Sequence, residues 1–411
     1  MRLFNPRLVA AACLLSAPIY AQFPAHDAWA VSTRPAPDSR DGEPELADRT
    51  EYTRTVLKSV LVDGKAALSI DNWFGDVSVS LWEKNEFRIQ IVISASSKDR
   101  EKASRALNAV QINESRDGNT ILLKTLIDKD FEKSQERDKE GPTSTTTYTG
   151  DAKIKGLKTS WRASRKGSGT SLRITYRIQM PKGNGLTIKN SFGNTTIPDF
   201  WAPLSVSSRF GDVSGAALNS LNTKIKASFG NVTIYEMQNG HVNMSFGDLD
   251  IHRGNVLRIE QSYGKLNIGE INRVDAKTSY GRALIGLINR HGKFKINFAE
   301  QFQVSKIGPA TEQVDVESNY SSVVLPMQST PNCDFDVTVT NSQFSVPTLP
   351  NLRMLTPPTP PPGMNITGTG ALTPPMPPRP ARTRQYIGRM GNGEGPRIKV
   401  VAVYGDVYFN K

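Results

Sequence analysis

The stretch "NMSFGDLDI", Asn243 to Ile251, places apolar residues at alternate positions on both sides of an aromatic–glycine pair. Met244 and Phe246 alternate before the glycine, and Leu249 and Ile251 alternate after it. One extra residue separates the two sets, so the buried face of the strand would reverse unless the chain bends there. The pattern predicts two short strands joined at a corner, with the bend at the glycine and the aromatic side chain in the core.

The same pair recurs along the chain at a nearly constant spacing. From Phe192 to Phe298 the steps are 18, 19, 17, 17, 17 and 18 residues. A strand pair of this size cannot bury its apolar face alone, so successive copies are expected to stack, aromatic over aromatic. The copies are centred on Phe74, Phe192, Phe210, Phe229, Phe246, Tyr263, Tyr280 and Tyr404, with looser ones at Phe298, Tyr320 and Phe344.

This spacing predicts an all-β fold, namely a single-stranded β-solenoid (β-helix) of about 17–19 residues per rung. The segment "KDREKASRALNAVQI", residues 98–112, adds one amphipathic helix near the N-terminus. An antiparallel β-sandwich is the competing architecture, because strands of this length with frequent turns also suit it.

Polar residues follow the corner glycine. Asp and Asn tolerate tight-turn backbone angles and can hydrogen-bond their own turn. A calcium-binding ladder is the alternative, but calcium-binding glycine–aspartate repeats are shorter, and two copies carry a cation here. The column holds Asp76, Asn194, Asp212, Asn231, Asp248 and Asp406, with Lys265 and Arg282 as departures.

Composition divides the chain into seven segments. Arg2 and Arg7 precede a short apolar run that ends in small residues, which is the layout of a cleavable secretory signal cut after Ala21. Residues 347–380 hold 12 of the 26 prolines and predict an extended linker. The predicted segments are a signal peptide (1–21), a flexible segment (22–54), a strand and helix cap (55–127), a disordered basic insertion (128–170), solenoid repeats (171–346), a Pro-rich linker (347–395) and a docking strand pair (396–411).

Positive charge is concentrated in one part of the sequence. Without residues 1–21 the chain has 49 basic and 39 acidic residues, and residues 152–198 hold ten basic residues and no acidic one. Such a patch favours binding to an anionic surface, although the simpler interpretation is that these residues flank a loop and are only solvated. The predicted anionic-surface site consists of Lys153, Lys155, Lys158, Arg162, Arg165 and Lys166.

Catalytic signatures are weak. Lys265 and Arg282, in one column of adjacent copies, come nearest to the charged clusters of β-helix enzymes that cleave acidic polysaccharides. The four histidines have no metal-ligand spacing: His26 lies in the polar N-terminal segment, and His241, His252 and His291 are expected at exposed turns. Cys333 is the one cysteine after the signal, which predicts no disulfide, whereas a lipoprotein would carry its lipid on Cys13. We expect no catalytic residues, no cofactor and no metal.

The order of elements resembles a known family. "LSIDNWFGDVSVSLWEKNEFRIQIVISASS", then the helix and "RDGNTILLKT", then "YRIQMPKGNGLTIKNSFGNTTI" and the glycine-centred copies are similar to the bacterial exported putative-adhesin family, a domain of unknown function with β-strand repeats. The resemblance covers about Ala66 to Val346 plus the final strand pair. It implies a solenoid fold, a cell-envelope or surface location, and adhesion.

These observations predict a non-catalytic exported β-solenoid, an adhesin or a cell-envelope binding or scaffold protein. A polysaccharide-acting β-helix lyase or hydrolase is the alternative. Expected partners are envelope polysaccharide, an anionic lipid surface or a partner protein, with no nucleic acid and no transmembrane span. Export by a signal peptide predicts the periplasm, the outer-membrane surface or the extracellular space.

Overall fold

The structure, a computed structural model, describes residues 50–128, 170–327, 330–348, 350–356 and 382–410. Within these ranges the chain consists of strands and one helix, which confirms the all-β class. The predicted signal peptide, nearly all of the basic insertion and much of the Pro-rich linker lie outside the described residues. In the described part of the chain, no helix has the length and hydropathy needed to cross a membrane.

The N-terminal part combines a short helix with antiparallel and parallel strands. The Asp99 side chain caps the helix by accepting hydrogen bonds from the backbone N–H groups of Glu101 and Lys102. The helix is shorter than its sequence pattern because a strand begins at Val110. The elements are β1 (Thr50–Leu61), β2 (Ala67–Trp73), β3 (Val77–Trp82), β4 (Glu86–Ser97), α1 (Arg100–Asn108), β5 (Val110–Asp117), β6 (Thr120–Ile127) and β7 (Ser171–Pro181).

The central part consists of strands that alternate before and after each aromatic–glycine corner. We call the two strands around one corner a copy. The elements are β8 (Gly185–Ser191), β9 (Thr195–Ile197), β10 (Leu204–Arg209), β11 (Val213–Leu218), β12 (Thr223–Ser228), β13 (Val232–Ser245), β14 (Leu249–Asn297), β15 (Gln301–Ile307), β16 (Gln313–Asn319) and β17 (Ser322–Pro326).

The C-terminal part adds six strands, two of which run antiparallel to their neighbours. They are β18 (Cys333–Thr340), β19 (Phe344–Ser345), β20 (Leu352–Met354), β21 (Thr383–Met390), β22 (Arg397–Val403) and β23 (Val407–Asn410). β21 pairs antiparallel with β18 and with β20. This pairing covers the outer edge of β18 with a strand of the opposite direction.

Successive copies pair in parallel and in register. Strands before the corners form one series, in which β10 lies between β8 and β12 and Val206 faces Ile188 on one side and Ile225 on the other. Strands after the corners form a second series, in which β11 lies between β9 and β13. Within β14 the same offset aligns Asn272 with Asn255, whose side chains are hydrogen-bonded at 3.0 Å. The pairing between copies is thus parallel, unlike that of the competing sandwich.

The core lies between the two series of strands. The position four residues before each corner is buried in every copy, which places one apolar column along the stack. This column consists of Ile70, Ile188, Val206, Ile225, Val242, Ile259, Ala276, Phe294, Val316 and Val400. Burial of one such side chain contributes about 1.5–3 kcal/mol, so a copy is stabilised mainly by contact with its neighbours.

The C-terminal strands lie inside the stack instead of at its edge. β22 pairs in parallel with β16 on one side and with β18 on the other. β23 pairs in the same way with β17 and β19. The strand pair that the sequence predicts to dock therefore lies between other strands, and not on an open edge as a terminal pair would be expected to. A strand inserted between two others satisfies backbone groups on both sides, whereas an edge strand satisfies one side only.

The corner glycines are required by the close approach of neighbouring copies. At each corner the positive φ, 52–61°, belongs to the aromatic residue and not to the glycine. A Cβ added to Gly264 would overlap the carbonyl oxygen of Gly247, and one added to Gly281 would overlap that of Gly264. The predicted bend at the glycine is thus located one residue earlier, and the glycine has a packing role.

Replacement of one corner glycine should destabilise the whole domain. We expect Gly264→Ala to lower the free energy of unfolding by at least about 3 kcal/mol, because either the new methyl group or the facing backbone must move. Gly183→Ala is the matched control, since its Cβ would meet nothing within 4 Å. Denaturant unfolding of both variants measures the difference, and equal stabilities would contradict the packing role.

Removal of residues 397–411 should expose the facing edges of β16 and β18. We expect the melting temperature of the truncated chain to fall by more than about 5 °C, and self-association to rise, because two strand edges become unpaired. A synthetic peptide of residues 397–410 should restore the melting temperature, and a scrambled peptide should not. Truncation without effect, or rescue by both peptides, would contradict the interior position.

Candidate binding surface

Ten corner aromatics form one continuous stack within the described residues, the aromatic column. Neighbouring ring centroids are 4.7–5.3 Å apart, and the planes differ by 22° or less. The predicted stacking of aromatic over aromatic is confirmed. The column consists of Phe74, Phe192, Phe210, Phe229, Phe246, Tyr263, Tyr280, Phe298, Tyr320 and Tyr404.

The expectation that these rings face the core is wrong. Phe74 is buried, but exposure is 39% at Phe246 and reaches 52% at Tyr320. The left-handed backbone at each aromatic residue turns its side chain out of the alternation that the preceding residues follow. The inward places next to the corner belong to residues two positions earlier, such as Met244 and Gln261.

Ring stacking offsets the strain at the corners. A left-handed backbone costs a non-glycine residue about 1–2 kcal/mol, and a stacked aromatic pair contributes about 0.5–1.5 kcal/mol. Each stacked pair is shared by two rings, so stacking offsets a large part of the strain. Because the rings cover one another's faces, the column offers mainly ring edges to solvent and is poorly shaped for stacking sugars.

The looser copy assigned to Phe344 has a different corner. Asn341 has the positive φ there, at 52°. Phe344 instead packs edge-on against Phe409, with ring centroids 4.8 Å apart. Tyr404 donates its backbone N–H to the carbonyl of Thr340, next to this asparagine corner.

The Asp and Asn residues after the glycines bind the next copy. Asp212 Oδ1 accepts a hydrogen bond from the Asn231 N–H at 2.7 Å, and Asn231 Oδ1 accepts one from the Asp248 N–H at 3.0 Å. The series continues from Asp248 to the N–H of Lys265, whose side chain has no acceptor to extend it. These acceptors therefore link copies, where the sequence suggested bonds within one turn.

The candidate catalytic cations do not form a reactive cluster. The Arg282 side chain pairs with Glu300 at 3.4 Å, and Lys265 is exposed in the same column. Among the described residues, no group of three or more His, Cys, Asp or Glu side chains has metal-binding geometry. His252 stacks on Tyr235, with ring centroids 5.0 Å apart.

Two groups with raised pKa values lie in the core. Burial, with a smaller contribution from Asp71, raises the pKa of Tyr176 to about 12, although a hydrogen bond with Thr125 opposes the shift. Burial, aided by the charge of Asp334, raises the pKa of the Cys333 thiol to about 12. Both groups stay protonated at neutral pH, so neither supplies an activated nucleophile.

The predicted anionic-surface site lies outside the described residues. This holds for all six residues assigned to it: Lys153, Lys155, Lys158, Arg162, Arg165 and Lys166. Four other cations of the same basic stretch are described, and Lys189 among them is exposed on β8. Lys189 belongs to a larger basic surface that the segment-by-segment charge count did not reveal.

One side of the stack is strongly basic. We call it the basic face: the outward side of β8, β10, β12 and the segments 240–245, 257–262, 274–279 and 291–297. These strands carry eight Lys and Arg residues, all exposed, against two acidic residues. The cations are Lys189, Arg209, Lys224, Lys226, Arg258, Lys277, Lys293 and Lys295.

The other side of the same copies has the opposite balance. The strands after the corners, namely β9, β11 and the segments 232–237, 249–254, 266–271 and 283–288, carry three acidic residues and one basic residue. Charge is therefore segregated by side of the stack. Counting along the chain averages the two sides, so this segregation is not visible in the charge of any one segment.

Half of the cations on the basic face are free for a ligand. Arg258 and Lys277 share Glu260 at 3.6 and 3.7 Å, and Lys295 pairs with Glu317 at 3.5 Å. Arg209 lies over the ring of Phe210. Within the described ranges, the other four cations make neither an ion pair nor a ring contact: Lys189, Lys224, Lys226 and Lys293.

A shallow basin opens at the edge of the basic face, where the chain enters these strands. Its volume is about 640 Å³, and residues of five successive copies line it. Lys224, Arg258 and Lys293 are shared with the basic face, and His241 and His291 lie between them. The sequence analysis assigned these histidines to exposed turns, whereas both are half-buried.

Comparison with known proteins adds little. No protein-family model and no curated protein matches the chain. A solved structure described as a putative adhesin from Bacteroides fragilis NCTC 9343 has 10% sequence identity and a TM-score of 0.30, covering 87% of this chain and 97% of that one. A putative cell adhesion protein from Clostridium sporogenes ATCC 15579 has 8% identity and a TM-score of 0.17, covering 87% and 99%. At these scores the likeness supports no argument about fold or function.

Two substitutions of one aromatic residue should separate the effect of backbone strain on stability from the effect of ring stacking. Tyr263→Ala removes two stacking contacts and keeps a strained backbone, whereas Tyr263→Gly removes the same contacts and relieves the strain. We therefore expect the glycine variant to be more stable than the alanine variant by about 1 kcal/mol. Thermal or denaturant unfolding measures this, and an alanine variant at least as stable as the glycine variant would contradict it.

Proposed function

We propose that the protein is an exported, non-catalytic binding protein of the cell envelope. In this proposal the stacked copies form a β-solenoid, and the basic face holds a linear anionic polymer. The observation that carries it is the segregation of charge, with eight exposed cations and two acidic residues on one side of the copies. Such a field attracts polyanions and raises their association rate.

The stacking of the copies aligns the outward residues in columns. Parallel strands lie about 4.8 Å apart, so equivalent positions in successive copies form columns with that repeat. Lys226 in β12 faces Asn243 of the next copy, and Lys224 faces His241. A chain that runs across the strands therefore passes an outward polar residue in each of these copies, and lysine or arginine in several of them.

Acidic residues limit the basic face along the stack. Asp71 lies on β2 at one end, and Asp315 and Glu317 lie on β16 at the other. The positive surface is thus a stripe across seven copies instead of a continuous cover. A stripe suits a narrow linear polymer better than a flat membrane, and we assign the polymer.

Charge reversal on the basic face tests the proposal. Lys226→Glu combined with Lys293→Glu should weaken binding of the protein to immobilised polygalacturonate at least about tenfold, which corresponds to about 1.4 kcal/mol. The control combines Lys265→Glu with Lys306→Glu, two exposed lysines after the corners that give the same change in net charge. It should weaken binding less than about threefold.

Salt and lipid complete the test. Wild-type binding should fall between 50 and about 300 mM salt, because the contacts are between exposed charges. Equal losses in both double variants, or binding that ignores salt, would contradict the proposal. Binding to vesicles that contain anionic lipid, without binding to polygalacturonate, would assign the basic face to a membrane instead.

A further inference from the structure

The basin at the edge of the basic face has the chemistry of a site for an acidic sugar. Its volume of about 640 Å³ lies within the range of about 300–1,000 Å³ that is usual for ligand sites. Its lining holds four Lys and Arg residues against one acidic residue, Asp275, together with hydrogen-bonding and apolar side chains.

Two arginines at the basin can bind a carboxylate. Arg273 is exposed and makes no ion pair with any described residue. Arg258 pairs with Glu260 at 3.6 Å, a distance that leaves part of its guanidinium free. Planar guanidinium groups bind carboxylates through two parallel hydrogen bonds, which lysines cannot do.

Unpaired polar atoms at the basin call for hydroxyl groups. The hydroxyl of Thr223, a residue only 1% exposed, has no hydrogen-bond partner, and neither have Asn239 Oδ1 and His241 Nε2. A buried polar atom without a hydrogen-bond partner destabilises the fold. Asn239 Oδ1 can only accept a hydrogen bond, so its partner must be a donor, which a carboxylate is not.

Apolar side chains complete the lining. Leu221 is 81% exposed and Val256 is 46% exposed. Exposed aliphatic side chains beside cations suit a ligand that is apolar on one face and charged at one edge. The ring of a sugar acid has these properties, since it presents C–H groups, hydroxyl donors and one carboxylate.

We infer that the basin binds a single uronate residue of the anionic polymer, with its carboxylate on Arg258 and Arg273 and its hydroxyls on Asn239 and Thr223. The inference rests on the proposed function and deepens it. The basin fixes the position of the polymer, and the lysines of the basic face hold the chain that extends from it.

Short oligosaccharides test the basin separately from the stripe. Wild-type protein should bind galacturonate trisaccharide in a calorimetric titration, and galactose trisaccharide at least about tenfold more weakly, because the neutral sugar lacks the carboxylate. Arg273→Gln should weaken trisaccharide binding about tenfold. Arg253→Gln, which changes an arginine after the corners, is the control and should change binding less than about twofold.

The outcomes separate the two proposals. Binding of polygalacturonate with no binding of the trisaccharide, or equal effects of the two arginine variants, would overturn the basin and leave the basic face standing. Loss of polygalacturonate binding altogether would overturn the proposed function. Inorganic phosphate that displaces the trisaccharide at equal concentration would show an anion site with no preference for sugar, and would also overturn the inference.

Discussion

The fold depends on how closely two backbones approach at each corner. The glycine of one copy lies against the carbonyl of the glycine before it, with no room for a Cβ. This contact lets backbone hydrogen bonds continue through the corner, as from the Phe229 N–H to the Ser245 carbonyl at 3.0 Å. The bend then falls on the aromatic residue, and ring stacking offsets much of its backbone strain. Asp or Asn side chains accept hydrogen bonds from backbone N–H groups of the next copy.

Close stacking has a functional consequence, because it separates the residues that hold the fold from those that contact partners. Inward columns and corners are fixed by packing, whereas the outward positions are free to carry any polar residue. On the strands before the corners, those positions hold the eight lysines and arginines of the basic face. On the strands after the corners, they hold a slight acidic excess. One molecule therefore has two chemically different sides.

Sequence reasoning found the local features and missed those set by three-dimensional context. The period-two pattern and the 17–19-residue spacing predicted the strands and the aromatic stack. Alternation alone assigned Phe246 to the core, because it carries no information on a left-handed backbone angle. The insertion of β22 between β16 and β18 pairs residues that are far apart in sequence. A local sequence pattern does not specify which strands will pair with each other. The basic face was visible in Lys224, Lys226, Lys293 and Lys295, but only after the register assigned them to one side.

The register of neighbouring copies is the central claim, and spin labels on an exposed pair test it directly. Lys226 faces Asn243 of the next copy, so labels on Lys226→Cys and Asn243→Cys should lie about 4.8 Å apart at the backbone and show strong spin–spin interaction. The protein used for labelling would start at residue 22, so that Cys13 is absent. Cys333 is buried, which raises the pKa of its thiol to about 12, and it should stay unlabelled. Labels on Lys226→Cys and Thr233→Cys, which lie on the strands before and after one corner, should interact much more weakly. A Lys226 and Asn243 spectrum equal to the sum of the two single-label spectra would contradict the account.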